Sequence, residues 1–491
     1  MRKNGIILPI FSLPSNYGIG TFGKEAYRFV DFLEKAQIDL WQILPVGPTS
    51  YGDSPYQSFS TFAGNPYFID LELLAEKGLL EKKEIEKYNF GKFENDIDYG
   101  EMYKNRYKVL KVAYKNINKT LRRKINLFKE KNKSWLYDYS LFMSIKDYKG
   151  GASWQEWEKD IRFRKPKAIS KYSNLLKDEI DFYSFLQYMF YHQWTSLKKY
   201  ANDKGIKIIG DIPIYVAEDS SDIWSNPNLF VLDENLIPKK VSGCPPDAFS
   251  ETGQLWGNPI YNWEELKKQG YRWWIERIKS SFNIFDVIRI DHFRGFESYW
   301  SIPYEDDTAI NGQWEKGPGI ELFDAINKEL GEIDIIAEDL GFITQEVREM
   351  LDYCGYPGMK VLQFAFDPEG DSEYLPHNYD KNVVVYTGTH DNDTIKGWFN
   401  SLSEDEREFC KKYTGMKDAD DNWAFIKCAI ASVADTSILQ MQDILNLDKD
   451  ARINIPSTLG NNWRWRIGKE DLTDELAEKL RVLNNLYGRT R

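Results

Sequence analysis

Three apolar, β-branched runs in this chain each end on an acidic residue. They are Val287-Ile288-Arg289-Ile290-Asp291, Ile333-Asp334-Ile335-Ile336-Ala337-Glu338 and Val383-Val384-Val385-Tyr386-Thr387-Gly388-Thr389-His390-Asp391. Carboxylates at the tips of buried parallel strands are where a barrel enzyme places its chemistry. Two such groups suffice to break or move a glycosidic bond, one attacking the anomeric carbon while the other protonates the leaving oxygen. A lone strand-tip acid reads most simply as a surface or cap carboxylate. Three in series, with Arg289 two residues before Asp291 and His390 beside Asp391, point to a site. Residues two apart on a strand share a face, so Arg289 and Asp291 are expected to enter that site together. A guanidinium there favours an ionised Asp291. Of only four histidines in the chain, His292 and His390 adjoin acids of this set.

The elements that would position these residues alternate between strand and helix. Apolar runs over 38–46, 206–211, 287–291, 333–338, 359–366, 382–387 and 437–445 read as strands, and 24–36 reads as a helix with Ala26, Phe29, Val30 and Leu33 on one face. This alternation predicts a parallel sheet covered by helices, most economically closed as a (β/α)8 TIM barrel spanning 1–491 as one catalytic unit. Two gaps exceed an ordinary crossover. Residues 70–200, rich in Lys, Glu, Tyr and Trp at helical spacing, predict an inserted helical subdomain. Residues 213–263, with Pro227, Pro238, Pro245, Pro246 and Pro259, read as a long irregular excursion at the active-site end of a strand.

A net charge of -12 and a pI near 5.2 argue against a nucleic-acid partner. One stretch, 102–133, carries twelve Lys or Arg against a single Glu130. Leu110, Ala113, Ile117, Leu121, Ile125 and Phe128 recur through it at helical spacing, so its basic residues read as the wet face of an amphipathic helix. Cys244, Cys354, Cys410 and Cys428 form no CxxC pair and suit reduced thiols of a cytoplasmic protein. The start, Met1-Arg2-Lys3 followed by Gly5 to Phe11, imitates a signal peptide, but Pro9 and Pro14 interrupt it and no cleavage site follows. No apolar run reaches the roughly 18 residues of a membrane span. Aromatic residues make up 15% of the chain, with 16 Trp and 30 Tyr, a composition that suits sugar platforms as well as a large core.

Gly18-Ile19-Gly20-Thr21-Phe22-Gly23-Lys24 satisfies both GxGxxG and the GxxxxGK of a P-loop. Glu25 stands where the magnesium-binding Ser or Thr belongs, and Pro9, Pro14 and Ser15-Asn16 interrupt the strand a dinucleotide fingerprint needs. The glycines therefore read as a tight turn into the helix.

Four segments closely resemble the signature regions of the amylomaltases, the 4-α-glucanotransferases of glycoside hydrolase family seventy-seven and relatives of the α-amylases. They are Arg-Ile-Asp-His-Phe-Arg-Gly-Phe (289–296), Ile-Ala-Glu-Asp-Leu-Gly (336–341), Tyr-Thr-Gly-Thr-His-Asp-Asn-Asp-Thr (386–394) and Gly-Asp-Ile-Pro-Ile-Tyr-Val (210–216). Segments 51–60, 245–259 and 461–466 look like the same family. The stretch between His377 and His390 departs from it in being short. The resemblance implies that Asp291 is the nucleophile, Glu338 the general acid/base and Asp391 the transition-state stabiliser. It also implies that Arg289, Asp211, His390, Ser54 and Tyr56 line the donor side. Tyr51, Asp247, Gln254 and His292 would contact sugar near the scissile bond or acceptor, and Trp256 and Asn462 would contact sugar as well. Asp339 and Asp393 are the acids most easily confused with these; Asp339 is expected to point away from Glu338's face.

By the same resemblance the expected reaction moves an α-1,4-glucan segment to the 4-hydroxyl of another glucan or of glucose. Maltodextrins, maltose or maltotriose would be the partners, in a monomer or weak homo-oligomer. Neither metal nor cofactor is implied. An α-amylase-type hydrolase is the alternative. Against it, only 46 residues follow Leu445, too few for a C-terminal β-sandwich of about 100 residues, and no DxDxDG calcium loop is present. A barrel that binds sugar without catalysis is disfavoured by the complete set of acids.

Overall fold

The N-terminal run that imitates a leader is the first strand of a barrel. In the computed structural model, which describes residues 2–50, 52–247 and 250–490, Lys3–Ile7 forms β1. It is followed by β2 (Leu40–Gln42), β3 (Lys207–Pro213), β4 (Val287–Asp291), β5 (Ile335–Ala337), β6 (Gly358–Val361), β7 (Val383–Tyr386) and β8 (Thr436–Gln440). All are parallel, and each forms a ladder with its neighbour in chain order except β5 with β6, with β8 returning to β1. Between β5 and β6 the ring is joined by Ala337 N–H donating to Pro357 O at 2.9 Å and by Met359 N–H donating to the Asp339 carboxylate at 2.6 Å. This is the expected (β/α)8 barrel. After β8 the described residues contain no further sheet, only short helices and the helix Asp474–Leu486.

Seven strands are visible as apolar runs in the sequence, but five of them are shorter in the structure; 333–338 and 382–387 are merely trimmed, to Ile335–Ala337 and Val383–Tyr386, and the other three end early for identifiable reasons. The ladder over 38–46 is confined to Leu40–Gln42, because Pro45 lacks a donor. The runs 359–366 and 437–445 leave their strands at Val361 and Gln440 and turn into short helices, Leu362–Phe364 and Met441–Ile444. Hydrophobic continuity alone does not separate a buried strand from the buried helical turn at its tip.

Between β2 and β3 the chain runs through several helices, ending in the long Lys177–Asp203. The basic stretch is two helices, Tyr99–Lys115 and Lys119–Lys131, divided where the Asn118 side chain caps the second by accepting from Leu121 N–H at 2.8 Å. Arg106 is not on the wet face. It is fully buried and donates to the carbonyls of Tyr67 and Ile69, tying the first of these helices to the loop after β2. The proline-rich stretch after β3 is more regular than its sequence suggests. It contributes Lys240–Cys244 and Gln254–Pro259 to a four-stranded antiparallel sheet completed by Ser298–Pro303 and Gln313–Lys316 from beyond β4.

The Gly18–Lys24 motif packs against protein. A Cβ on Gly18, at φ 80°, would lie 1.9 Å from Phe90 O, and one on Gly20 would lie 1.8 Å from Ile10 O. One on Gly23 would meet the Asp70 carboxylate at 2.0 Å, an acid already bound by Thr21 Oγ1 at 2.6 Å. The glycines thus permit close backbone approach, and a carboxylate stands where a phosphate reading would need an anion from outside. Gly20→Ala is expected to destabilise the fold by about 1–3 kcal/mol through overpacking, seen as a lower urea midpoint. A wild-type midpoint would show that the backbone there can yield.

Candidate active site

Register places the charged core of the site. Asp211 on β3 lies directly opposite Arg289 on β4, and Ile336 on β5 lies opposite Arg289 on the other side. Opposed residues of parallel strands share a face, so Asp211 and Arg289 both enter the barrel, where their side chains are 0% and 4% exposed. Arg289 Nη1 donates to both oxygens of Asp211, at 2.8 and 2.6 Å, and reaches Asp291 Oδ1 at 3.1 Å. Its Nε points to Met359 Sδ at 3.4 Å. Asp291, two residues on, shares Arg289's face but is 31% exposed at the mouth.

Glu338 follows directly on β5, so its carboxyl stands at the strand tip adjacent to that of Asp291; neighbouring strands run about 4.8 Å apart. The backbone interlocks here, with Glu338 N–H donating to Ile290 O and Phe293 N–H donating to Glu338 O, each at 3.0 Å. His292 takes a left-handed conformation, φ 55°, which turns its own N–H onto Glu338 Oε2 at 2.7 Å. Leu340 N–H donates to Oε1 at 2.9 Å. The His292 ring meets the Trp256 ring edge-on at 4.8 Å, and Trp256 Nε1–H donates to Gln254 Oε1 at 3.1 Å. His292 Nε2 is buried and has no hydrogen-bond partner among the described residues.

The third acid sits on the loop after β7. His390 Nε2 lies 3.2 Å from Asp391 Oδ1, and Asn454 Nδ2 donates to the same oxygen at 2.6 Å. Arg452 donates to the Asp391 carbonyl. Both ends of the loop are tied to buried Asp443, which accepts from Thr387 Oγ1 and Ile395 N–H, each at 2.7 Å. Tyr56 joins the two halves of the site. Its hydroxyl donates to Asp211 at 2.8 Å, its ring stacks on His390 at 5.0 Å, and Trp463 lies about 6 Å from both rings.

These contacts separate the three acids electrostatically. Burial raises Glu338 to about 7, and the neighbouring Asp291 charge adds to the effect against the two backbone donors. Burial also raises Asp291, but only to about 6, because Arg289 touches it and favours its charge. Asp391 goes the other way. Burial opposes its ionisation, yet His390 and Asn454 more than offset that and hold it down at about 2. Burial works against a charged His390, and Asp391 overcomes it, so the imidazole is raised. His292 is pushed down to about 3 by burial and by Arg294, and so stays neutral. The arrangement offers one carboxyl that keeps its proton near neutrality beside one that has lost it, with a permanently ionised third acid opposite.

Most of the residues singled out in the sequence come together here: Asp211, Arg289, Asp291, Glu338, His390, Asp391 and Tyr56 as one network, with His292, Trp256 and Gln254 as its extension. Ser54 accepts from Tyr56 N–H at 3.3 Å in its own loop. Asn462 bonds within the 455–462 loop, to Ile455 N–H and Thr458. Asp247 is exposed and accepts from Ser250 N–H at 2.8 Å. Tyr51 lies outside the described residues. Asp339 binds Met359 N–H, and Asp393 binds Thr394 N–H, so each serves the backbone. Sequence reasoning missed Asn454, Arg452 and Asp443, which carry no pattern of their own and lie 52–63 residues beyond the acid loop they hold. Among the described residues no group of three or more His, Cys, Asp or Glu is placed to hold a metal ion, and no helix is long and apolar enough to cross a membrane.

A family model described as 4-alpha-glucanotransferase matches residues 8–471. The chain belongs to the 4-alpha-glucanotransferase family. It is 56% identical over 483 residues to a 4-alpha-glucanotransferase of Clostridium butyricum, covering 98% of this chain and 99% of that one. A 4-alpha-glucanotransferase of Streptococcus pneumoniae is 51% identical over 492 residues, covering 99% and 97%. Among solved structures, amylomaltase from Streptococcus agalactiae in complex with acarbose superposes with a TM-score of 0.98 at 43% identity over the full length of both chains. The activity is therefore that of a 4-alpha-glucanotransferase, and the hydrolase alternative is not favoured.

Within this family site, the Arg289 guanidinium is buried with Asp211 as its closest partner. Asp211→Ala removes that carboxylate and leaves a cavity beside the charge, with an expected loss of about 3 kcal/mol or more. The measurement is the urea midpoint of the variant against the parent; an unchanged midpoint would mean that Asp291 alone satisfies the guanidinium.

Proposed function

We propose that the glucan transfer proceeds by retaining double displacement, with Asp291 as nucleophile, Glu338 as general acid and base, and Asp391 as the group that stabilises the transition state. The observation that carries this reading is the asymmetry of adjacent strand tips: Arg289 touches Asp291, whereas Glu338 receives two backbone N–H groups and no cation. In the first step Glu338 gives its proton to the glycosidic oxygen while an Asp291 oxygen bonds to C1 and the C1–O bond breaks. The reducing-end fragment leaves with a free 4-hydroxyl. In the second step the 4-hydroxyl of an acceptor gives its proton to the Glu338 carboxylate and attacks C1, and the ester bond to Asp291 breaks. Two inversions preserve the α configuration. Asp391, ionised and fixed by His390 and Asn454, faces the positive charge that develops on the sugar ring.

Maltodextrins as donors and short maltosaccharides or glucose as acceptors fit this reading. Arg289, Asp211, His390, Tyr56 and Ser54 would frame the donor sugar. His292, Gln254, Trp256 and Asp247 would serve the acceptor side, where the orphaned His292 Nε2 suits a sugar hydroxyl. Asn462 and Tyr51 would contact sugar from their loops. The antiparallel sheet and the loops after β2 and β8 would hold water from the ester, which lets an acceptor sugar compete. The helices between β2 and β3 would be an inserted subdomain that supports the loop bearing Tyr56.

Purified protein given maltotriose should produce a ladder from glucose to longer maltodextrins at constant total reducing ends. Rising reducing ends with only shorter products would mean hydrolysis. Asp291→Asn, Glu338→Gln and Asp391→Asn should each reduce turnover by several orders of magnitude while the far-ultraviolet spectrum is kept; near-normal turnover in any one removes that residue's role.

The pH dependence has a definite sign. Asp291 works deprotonated, so kcat/KM rises as pH passes about 6; Glu338 works protonated in the first step, so it falls as pH passes about 7. The two limbs belong to the coupled pair, and together they give a bell with a narrow top between them. Initial rates of glucose release would test it, and a flat profile from about pH 5 to about pH 8 would contradict the assignment.

A further inference from the structure

A cavity of ≈ 190 Å³ lies apart from the acids, between the loop after β2, the segment 221–229 after β3, the residues 134–138 at the start of the helix Leu136–Tyr148, and the first turns of the helix Arg272–Ile284. None of its lining residues belongs to the carboxylate site. Its size is below the several hundred Å³ of sites for larger ligands, which limits an occupant to about one ring.

The lining has two kinds of surface. Phe62 and Trp135 present near-parallel rings, 16° apart with centroids at 6.2 Å, and Trp273 stands at 87° to Phe62. Trp273 is 8% exposed, and its indole N–H is buried with no acceptor among the described residues. Around these rings stand polar groups of both senses. The side chains of Arg272 and Glu276, one helical turn apart, and of Ser134 make no hydrogen bond or ion pair among the described residues. Asp138 is held by Arg164 at 2.6 Å, and buried Asp222 by Thr61 N–H at 2.8 Å.

Those features select a ligand class. Three carboxylates against a single guanidinium in the lining exclude phosphate esters and other anions. Aromatic surface beside unpaired donors and acceptors matches a neutral ring with an apolar C–H face and an equatorial rim of hydroxyls. We propose that this cavity binds one hexose ring of a glucan chain, at a point separate from the carboxylate cleft. That the hexose is a glucosyl unit rests on the function proposed above; the cavity's preference for a neutral polyol does not.

The position gives such binding a route to the site. Ser60 and Phe62 of the lining continue the loop that carries Tyr56, and that loop is fastened to the other wall by Ser221 N–H and Oγ donating to Phe59 O and by Thr61 donating to Asp222. A sugar seated here stiffens the segment that holds Tyr56 against Asp211 and His390. It also tethers one part of a long chain while another part enters the cleft, which raises local concentration.

The experiment uses the full chain with Asp291→Asn to stop turnover, labelled with ¹⁵N at the indole nitrogens and titrated with maltose. Trp135 and Trp273, assigned through Trp→Phe variants, report the cavity; Trp256 reports the cleft. Saturable shifts at Trp135 and Trp273 are expected, weakened at least tenfold in an added Arg272→Ala/Glu276→Ala pair, with the Trp256 response retained. Both exchanged residues are exposed, and unchanged signals from the other tryptophans show that the fold is kept. A responding Trp256 with silent Trp135 and Trp273 overturns the cavity site, as does a cavity response that survives the paired substitution. Cavity shifts with a silent Trp256 would instead refute the acceptor-side role of Trp256 and leave the cavity site standing.

Discussion

One guanidinium organises this molecule's chemistry. Arg289 is buried within the barrel mouth, where it hydrogen-bonds to Asp211 across the strand ladder and forms an ion pair with Asp291, two residues along its own strand. Ion pairs in such surroundings contribute little net stability, because the desolvation of both charges offsets their attraction. What this one contributes is position and charge state. Asp291 is held on one side, ionised ahead of Glu338, and prevented from sharing the latter's proton equally.

Everything else around the acids can be understood as protecting that asymmetry. Glu338 is fixed by backbone N–H groups, which orient it without supplying a full positive charge, so burial still keeps its proton. Asp391 is served by a histidine and an asparagine, so its charge is balanced locally and does not compete for Arg289. Tyr56 spans the two clusters through one hydroxyl and one ring face. The loops after β2, β4, β5, β7 and β8 thus contribute to a network whose members each answer a different electrostatic need.

The barrel and its acids were legible because both rest on local pattern. β-branched runs ending in Asp or Glu mark parallel strands and their tips, and the Arg289–Asp291 spacing places two side chains on one face. The first strand was obscured because Lys3–Ile7 looks like a leader when its partner, more than four hundred residues away, is not in view. Asn454, Arg452 and Asp443 were invisible for a related reason: they act by proximity across the rim, and no periodicity announces it. Arg106 was misplaced because helical periodicity assigns a charged residue to water unless carbonyls await it inside, as those of Tyr67 and Ile69 do. The Gly18–Lys24 motif shows the converse. Its spacing matched nucleotide loops, while the atoms that the missing Cβ groups make room for belong to Phe90, Ile10 and Asp70.

The closure of the ring between β1 and β8 has a consequence for how the protein comes into being. The first strand emerges from the ribosome with an exposed edge and waits for roughly 430 residues before its second partner is made, on the order of 20–90 s at ordinary elongation rates. The loop that carries Arg452 and Asn454 arrives later still. On the reading proposed above, a nascent chain therefore acquires Asp291 and Glu338 well before it can hold Asp391 in place, so the set of three acids is assembled by the late-made rim rather than by the strands that bear them.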